Sequence, residues 1–376
     1  MKIVNIIHSI DNKATGPSYS VGRGSESLAS IGHSVDVAVL GDRSNIRHEN
    51  GYTVRYFLCA KFFRKLGISR GLYAWIRNEV SLNDAVIFHS HNVWMINSIY
   101  PAFFKSTFVF SPHGALTEYS MSIGSRFKSI YWACVQKPAL KRVNCFFATA
   151  YSEYRDIRRL GFNQPVAIVP VGMDPSIINV PSELKNKRFV YLGRVHQEKN
   201  VIDLVVAWSN ISSVLNDWEL CIVGPIFEDY MINVNKIIEE NAIDRIKFLG
   251  PMFGDEKLRF LAESRVFVMP SISENFCIAI AESLSVGTPV ICTKGAPWSD
   301  IESYECGWWI DFGVEALAKA MVNASSADVD EIEKFSQNAK KLINNKYSWD
   351  YVANCMSSTY NWLVLGGETP ECVLID

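Results

Sequence analysis

Short apolar runs alternate with longer amphipathic stretches along the whole chain. In the first half, runs such as "KIVNII", "VDVAVL", "TVRYFL", "AVIFH", "TFVFS" and "CFFAT" are typical of strands buried on both faces of a parallel sheet. The second half repeats the pattern with "RFVYLG", "WELCIVG", "IKFLG", "RVFVMP" and "PVICT". Stretches of helical periodicity, such as "YSVGRGSESLASIGH", lie between some of these runs. The alternation predicts an α/β protein with two doubly wound domains that face one another.

The length of the chain also favours two domains. Its 376 residues are more than one hydrophobic core usually serves. The apolar pattern breaks at "VAIVPVGMDPSIINVPSELKNKR", which ends a strand and then becomes polar and proline-containing, as a linker does. We therefore predict a first domain over residues 1–170 and a second over residues 171–347. A last helix is predicted in "SWDYVANCMSSTYNWLVL", over residues 348–366.

The composition is that of a globular protein, with 48% hydrophobic and 20% charged residues. The nine cysteines form no C-x-x-C pair, which favours reduced thiols and a cytoplasmic location. The start of the chain does not resemble a signal peptide, and no apolar run approaches the roughly 20 residues that span a bilayer. We therefore expect a protein that does not cross a membrane, although it could bind to the surface of one.

The net charge of −2 hides an asymmetry between the two halves. Residues 1–170 carry 20 Lys and Arg against 10 Asp and Glu, and the remaining 206 residues carry 17 against 29. A basic first half indicates an anionic partner such as a phosphorylated substrate, a membrane surface or nucleic acid. We expect no nucleic-acid partner, because the chain has no aromatic-basic RNA motif and no recognised DNA-binding helix.

Two glutamates mark a predicted helix in "SISENFCIAIAESLSVGTPVI". Ser273 suits the N-cap position, so we expect the helix to start there. Glu274 and Glu282 would then lie about 12 Å apart along the helix, too far to share one reacting centre as glycosidase carboxylates do. They suit an elongated ligand whose diphosphate rests on the helix N-terminus. The spacing equally allows one charge that complements the helix dipole and one solvated glutamate.

A second charged motif, Arg194 with Lys199, follows the strand "RFVYLG" at its carboxyl end. Ligands of open α/β sheets bind at such strand ends, and a leaving diphosphate needs fixed cations. Arginine can bind a phosphate through two hydrogen bonds, while lysine acts as a compact charge. The alternative is that both are solvated loop cations.

Together these stretches resemble the GT4 family of retaining glycosyltransferases, which have the two-domain GT-B fold. "ENFCIAIAESLSVGTPVI" is similar to the family's E-x7-E signature, and "YLGRVHQEKNVIDLVVAW" to its Gly-Arg…Glu-Lys segment. "FSPHGAL", "VAIVPVGMD" and "TKGAPWSDI" resemble its His-Gly turn, its interdomain strand and its final loop. The similarity covers nearly the whole chain, with the motifs in the family's order.

The resemblance implies roles for particular residues. His113 and Glu274 would be catalytic residues at the transferred sugar, and Arg194 and Lys199 would bind the two donor phosphates. Gly16, in "NKATGPSYS", is a partial match, because the family often has two adjacent glycines where this chain has Gly-Pro-Ser. The last helix would cross back to the first domain. The implied donor-binding set is Gly16, Arg194, Lys199, Asn275, Phe276, Cys277 and Glu282.

We expect no metal and no cofactor. His89 and His91 would face one side of a strand, but two histidines without a nearby carboxylate are more often core or hydrogen-bonded residues than metal ligands. The only Asp-x-Asp sequence, Asp328-Val329-Asp330, has the pattern of a capped helix start rather than a metal site.

The implied reaction is transfer of a hexosyl residue from a nucleotide-diphosphate sugar to an acceptor hydroxyl with retained configuration. By resemblance, the acceptor would be a lipid-linked oligosaccharide of bacterial O-antigen or another surface polysaccharide, carried on a polyprenyl diphosphate. The alternatives are a nucleotide-sugar epimerase or a phosphorylase of the same fold, or a sugar-nucleotide binding protein without catalysis. A phosphorylase of this fold would need a pyridoxal-phosphate lysine.

Two basic segments could dock on an anionic membrane. Residues 61–77 and 125–142 each carry five basic and no acidic residues, mixed with aromatic ones. The residues we single out for this surface are Arg64, Lys65, Arg126 and Lys128. The alternative is that the apolar residues of both segments face the core while the charges are solvated.

Overall fold

The computed structural model describes residues 1–11, 16–83, 85–123 and 126–375, with the side chains of all of these except Phe62, Phe63, Lys65 and Arg126. The chain divides into two compact units. The first comprises Met1–Gly172 and Trp349–Asp376, and the second comprises Met173–Ser348.

Most strands follow the apolar runs of the sequence, and several of the inner ones are buried along their whole length. Every residue of "VIFHSH" and of "SRVFVM" is buried, for example. The strands are β1 Lys2–Ile6, β2 Ser34–Gly41, β3 Asn45–His48, β4 Thr53–Leu58, β5 Val86–His91, β6 Thr107–Ser111, β7 Cys145–Ala148, β8 Val166–Ile168, β9 Asn186–Leu192, β10 Glu219–Val223, β11 Ile246–Gly250, β12 Ser264–Met269, β13 Val290–Thr293, β14 Gly307–Ile310 and β15 Val373–Leu374.

The helices lie mostly between successive strands. They are α1 Gly16–Ser30, α2 Arg70–Leu82, α3 Glu118–Ser122, α4 Arg126–Tyr131, α5 Lys137–Leu140, α6 Tyr151–Arg159, α7 Val201–Ile211, α8 Glu228–Glu240, α9 Gly254–Ala262, α10 Ile278–Ser285, α11 Asp300–Ser303, α12 Val314–Ser326, α13 Val329–Leu342 and α14 Trp349–Leu365. Shorter 3-10 turns occur at Lys61–Leu66, Ile96–Phe103, Ser182–Leu184 and Gln197–Lys199, and π turns at Trp132–Gln136 and Ile343–Tyr347.

The first unit contains a sheet with the order β15-β8-β7-β6-β5-β1-β2-β4-β3 among the described residues. Its inner strands pair in parallel, while β3 and β15 are antiparallel to β4 and β8. The chain runs from β1 to β2 on one side and later returns as β5 on the other. The switch point therefore lies between β1 and β5, where ligands of such sheets bind beyond the carboxyl ends of the strands.

The last helix belongs to the first unit, where α14 packs against α1. The indole of Trp349 lies so close to the backbone that a β-carbon at Gly172 would be 2.3 Å from its Cδ2 atom. A β-carbon at Gly24 of α1 would be in ordinary contact with the same ring, at 3.5 Å. The glycine in "VPVGMD" is therefore required for this helix to pack closely.

The second unit contains a parallel sheet with the order β11-β10-β9-β12-β13-β14. Its switch point lies between β9 and β12, so the loops after these two strands meet at one edge of the sheet. Both units are thus doubly wound α/β sheets, as the alternation of apolar runs predicted.

Candidate functional site

The two loops at the switch point of the second sheet carry most of the predicted donor-binding residues. Gly193 and Arg194 follow β9 directly, and Ser271 to Cys277 follow β12. Arg194 is exposed at this edge, and its carbonyl oxygen accepts a hydrogen bond from the hydroxyl of Tyr191 at 2.7 Å. A β-carbon at Gly193 would lie 2.8 Å from the same hydroxyl oxygen. The glycine thus permits the tight turn that leads into Arg194.

An ion pair joins the two loops. Nζ of Lys199 lies 2.5 Å from Oε1 of Glu274, and the hydroxyl of Ser271 donates to the same oxygen at 2.7 Å. The side chains of Lys199 and Glu274 are only 17% and 8% exposed. Burial alone would lower the pKa of Lys199, but the charge of Glu274, its hydrogen bond and the neighbouring Cys277 act against burial, and together they raise the pKa. Lys199 therefore stays a cation at neutral pH.

The expected start of the helix after β12 is wrong. Helix α10 begins at Ile278, not after Ser273, and its N-cap is Cys277 in a left-handed conformation with a φ of 69°. The preceding loop is held by bonds to other loops, from Ile272 N–H to the carbonyl of Glu198 and from Glu274 N–H to the carbonyl of Gly295. Glu274 therefore lies outside the helix, and the separation derived from helical rise does not apply to it and Glu282.

Residues 275–277 complete the loop before α10. Phe276 is 5% exposed and its ring packs on Trp298 and Tyr347, at centroid distances of 5.1 and 5.8 Å. Its carbonyl accepts a hydrogen bond from the indole N–H of Trp298 at 2.5 Å. Burial raises the pKa of the Cys277 thiol, which is therefore protonated at neutral pH. Phe276 thus acts through packing, and Asn275 is half-buried beside it.

Glu282 lies on the second turn of α10 and is paired with Lys257 of α9 at 2.6 Å. Both side chains are largely buried, at 16% and 19% exposure. The sequence analysis did not single out Lys257, because nothing in "GDEKLRFLA" distinguishes it from a solvated helix cation.

Three histidines lie at the carboxyl edge of the first sheet. His91 Nδ1 lies 3.0 Å from His113 Nε2, and His91 Nε2 lies 3.2 Å from Oδ1 of Asn5. His89 bonds instead to the hydroxyls of Tyr360 and Ser111, at 2.6 and 2.8 Å. Burial lowers the pKa of all three histidines, that of His113 to about 4, so these rings are neutral at pH 7.

The hydrogen bonds of Asn5 define the tautomers of His91 and His113. Its amide N–H donates to the hydroxyl of Ser25 at 2.9 Å, so its oxygen faces His91. Nε2 of His91 is then the donor and its Nδ1 accepts from Nε2–H of His113. This leaves Nδ1 of His113 as an acceptor. A cavity of about 50 Å³ borders these residues and is lined also by Gly24, Thr149 and Trp349.

The remaining predicted residues are only partly described. Gly16 is the first residue of α1, and residues 12–15 of its loop lie outside the described residues. No group of three or more His, Cys, Asp or Glu residues within the described ranges is arranged to hold a metal ion. Asp328 caps α13 by accepting from the N–H of Glu331 at 2.9 Å, as its sequence pattern predicted.

The residues proposed to face lipid have internal partners where they are described. Arg64 bonds to Asp42 at 2.8 Å. The ammonium of Lys128 donates to the carbonyls of Ser120 and Ile123 and lies 4.3 Å from the ring centre of Trp94. The side chains of Lys65 and Arg126 lie outside the described part of the chain. In 1–11, 16–83, 85–123 and 126–375, no helix is long and apolar enough to cross a bilayer.

Two family models match the chain, one on each half. The model described as Glycosyltransferase Family 4 matches residues 15–177. The model described as Glycosyl transferases group 1 matches residues 175–342. Together they account for most of the chain.

Individual relatives agree with these matches. An uncharacterized glycosyltransferase of Methanocaldococcus jannaschii is 24% identical over 374 residues, which covers 89% of this chain and 91% of that protein. The lipopolysaccharide 1,2-N-acetylglucosaminetransferase of Salmonella typhimurium is 22% identical over 181 residues, or 44% of this chain and 45% of that protein. The structure of Anabaena HepE in complex with UDP-glucose has a TM-score of 0.70 at 14% identity, and the match covers 96% of this chain and 99% of that one. The predicted fold class is thereby confirmed.

Proposed function

Because the chain belongs to the GT4 glycosyltransferases of GT-B fold, we propose that it moves a hexosyl residue from a nucleotide-diphosphate sugar to an acceptor hydroxyl, with retained configuration. The observation that carries the proposal is the position of Arg194, Lys199 and Glu274 on adjacent loops at the switch point of the second sheet. Two cations and a carboxylate at such an edge suit a diphosphate and the hydroxyls of a sugar.

The chemistry follows from the charge that develops on the leaving group. As the bond between the anomeric carbon and the phosphate oxygen breaks, its electron pair goes to the nucleotide diphosphate, and Arg194 and Lys199 stabilise that charge. The acceptor oxygen bonds to the same face of the anomeric carbon, and its proton passes to the departing phosphate. By the family resemblance, Glu274 and His113 bind the transferred sugar, Glu282 binds the nucleotide, and Gly16, Asn275, Phe276 and Cys277 complete the donor site.

We propose that no divalent cation is needed, because Arg194 and Lys199 supply the positive charge that a metal would otherwise provide. Turnover should therefore be unchanged after dialysis against EDTA. The measurement is nucleotide release with and without added Mg²⁺ or Mn²⁺. A loss of turnover that only the metal restores would show that the two side chains are insufficient.

The donor is proposed to be a UDP-sugar, since a protein of the same fold has been solved with UDP-glucose. The test is a panel of UDP-, GDP- and ADP-sugars, with slow donor hydrolysis followed by NMR. Release of free sugar and UDP from one UDP-sugar is the expected result. Conversion of a donor into its epimer without hydrolysis, or binding of a donor without any conversion, would contradict the proposed reaction.

The acceptor is proposed to be a lipid-linked glycan at the inner face of the plasma membrane. The similarity to a lipopolysaccharide glycosyltransferase supports this class of acceptor. The exposed apolar side chains of Ile123, directly after α3, and of Phe127 and Ile130 on α4 support contact with lipid, since they are 51%, 82% and 58% exposed. A polyprenyl-diphosphate carrier would place its sugar close to a protein docked in this way.

A further inference from the structure

A buried carboxylate joins the turn that carries His113 to the neighbouring strand end. Glu153 lies in the first turn of α6 and is 2% exposed. Its Oε1 accepts from the N–H of Gly114 at 2.6 Å, and its Oε2 accepts from the N–H and the hydroxyl of Thr149 at 2.8 and 3.1 Å. One side chain therefore ties the loop after β6 to the loop after β7.

The turn that Glu153 holds has an unfavourable backbone conformation. His113 has a φ of 53° and Gly114 a φ of 76°, so two successive residues are left-handed. A residue with a β-carbon rarely adopts this conformation, and it persists where the surrounding structure maintains it. The ring of His113 is held by His91 at 3.0 Å, and the backbone beside it is held by Glu153.

The bonding pattern of Glu153 requires a carboxylate. Burial raises its pKa, and the bonds from Gly114 and Thr149 act against that shift. Within the described residues, no ion pair includes Glu153. Its carboxylate is instead stabilised by the N–H of Gly114 and by the N–H and hydroxyl of Thr149. A glutamine amide would present its NH₂ group to one of the two backbone N–H donors, and would satisfy only one of the loops.

We propose that Glu153 is a positioning residue for glycosyl transfer: through the N–H of Gly114 it fixes the turn that presents the imidazole of His113 to the sugar. This inference rests on the proposed function, in which His113 binds the transferred sugar. Glu153 itself touches no substrate, so its replacement acts on turnover through His113 and leaves nucleotide binding in the second unit unchanged.

The experiment compares Glu153→Gln, His113→Ala and the double variant in the full-length protein, with UDP-glucose hydrolysis as the assay. We expect Glu153→Gln to lower kcat roughly 10- to 100-fold, as a misplaced catalytic group does, with the Kd for UDP unchanged. In the His113→Ala background the same change should lower kcat no further. Glu79→Gln is the matched control, because Glu79 is a buried carboxylate of the same unit that binds Lys2 instead.

A second readout needs no donor. In protein with ¹⁵N-labelled histidine, the imidazole resonance of His113 is assigned from its loss in His113→Ala. Glu153→Gln should shift this resonance while those of His33 and His48 stay in place. Thr149→Val, which removes a single donor, should shift it in the same direction and lower kcat roughly 2- to 10-fold; this milder variant serves if Glu153→Gln does not fold.

The two readouts separate the inference from the function beneath it. The positioning role would be overturned if the decreases in kcat of the two single variants multiplied fully in the double variant. It would also be overturned if the His113 resonance were unchanged in a folded Glu153 or Thr149 variant. If His113→Ala alone leaves hydrolysis unchanged, the proposed role of His113 fails. The link between Glu153 and the turn is then decided by the resonance alone.

Discussion

The two cations of the candidate donor site carry the same charge in different surroundings. Arg194 is exposed, whereas Lys199 is largely buried against Glu274. If both bind the donor as proposed, removing either one takes away a charge-assisted contact with the donor phosphates. Removing Lys199 also leaves the carboxylate of Glu274 buried without its cation, which destabilises a fold. The two positions can therefore be told apart by combining affinity with stability.

We expect Arg194→Ala and Lys199→Ala each to weaken binding of UDP by roughly 1.5–3 kcal/mol, measured by calorimetry. Only Lys199→Ala should also lower the Tm. Lys187→Ala is the control, because Lys187 is exposed and pairs with exposed Asp217. Unchanged UDP affinity in both variants would refute the phosphate-binding role. An equal decrease in Tm in Arg194→Ala and Lys199→Ala would contradict the argument that Lys199 stabilises the fold by pairing with buried Glu274.

At the scale of elements, the sequence predicted the strands better than the loops between them. Buried parallel strands such as β5 and β12 contain the apolar runs VIF and VFVM, and these runs are sufficient to place them. β3 was missed because its four residues are polar or exposed and it pairs at the sheet edge. The start of α10 was misplaced because bonds from distant loops, including one to Gly295, outweigh a local N-cap.

The sequence also did not predict several side-chain contacts of the candidate site, because the contacting residues are distant in the chain. Lys257 reaches Glu282 because α9 packs against α10, and Glu153 reaches Gly114 because α6 lies beside the loop after β6. Family motifs singled out His113 and Glu274 as candidates, but no local pattern indicates which side chains hold them in place.

The loop after β13 supports Glu274 through a close approach of backbones. A β-carbon at Gly295 would lie 2.3 Å from the carbonyl oxygen of Ser271 and 2.5 Å from that of Ile272. Gly295→Ala should therefore push the two loops apart, cost about 1–3 kcal/mol of stability as overpacking does, and weaken UDP binding. Gly71→Ala is the control, since its nearest neighbour would be 3.8 Å away. Urea unfolding and calorimetry measure both effects, and wild-type values for Gly295→Ala would contradict this account of the loops.

For the whole molecule, the basic first half of the sequence does not act as one uniform surface. In residues 61–77, Leu72 and Ile76 are buried in the core, as the alternative interpretation of that segment held. In the second basic segment, Phe127 and Ile130 point outward, at 82% and 58% exposure, whereas Trp132 packs against the core. We therefore propose the second basic segment as the better candidate for lipid contact, through its exposed apolar residues as well as its charges.

We expect the protein to sediment with anionic liposomes at low salt, less so at high salt, and weakly with neutral ones, because each Lys or Arg near such a surface adds about 1 kcal/mol. Replacing Phe127 and Ile130 together by serine should lower binding roughly tenfold or more, since both would lose their burial in the lipid. Ile46→Ser is the control, as Ile46 is 53% exposed on β3 at the far edge of the sheet. If the double variant binds anionic liposomes as the wild type does, these helices do not dock on lipid. If neither protein binds at low salt, the acceptor must reach the enzyme without membrane docking.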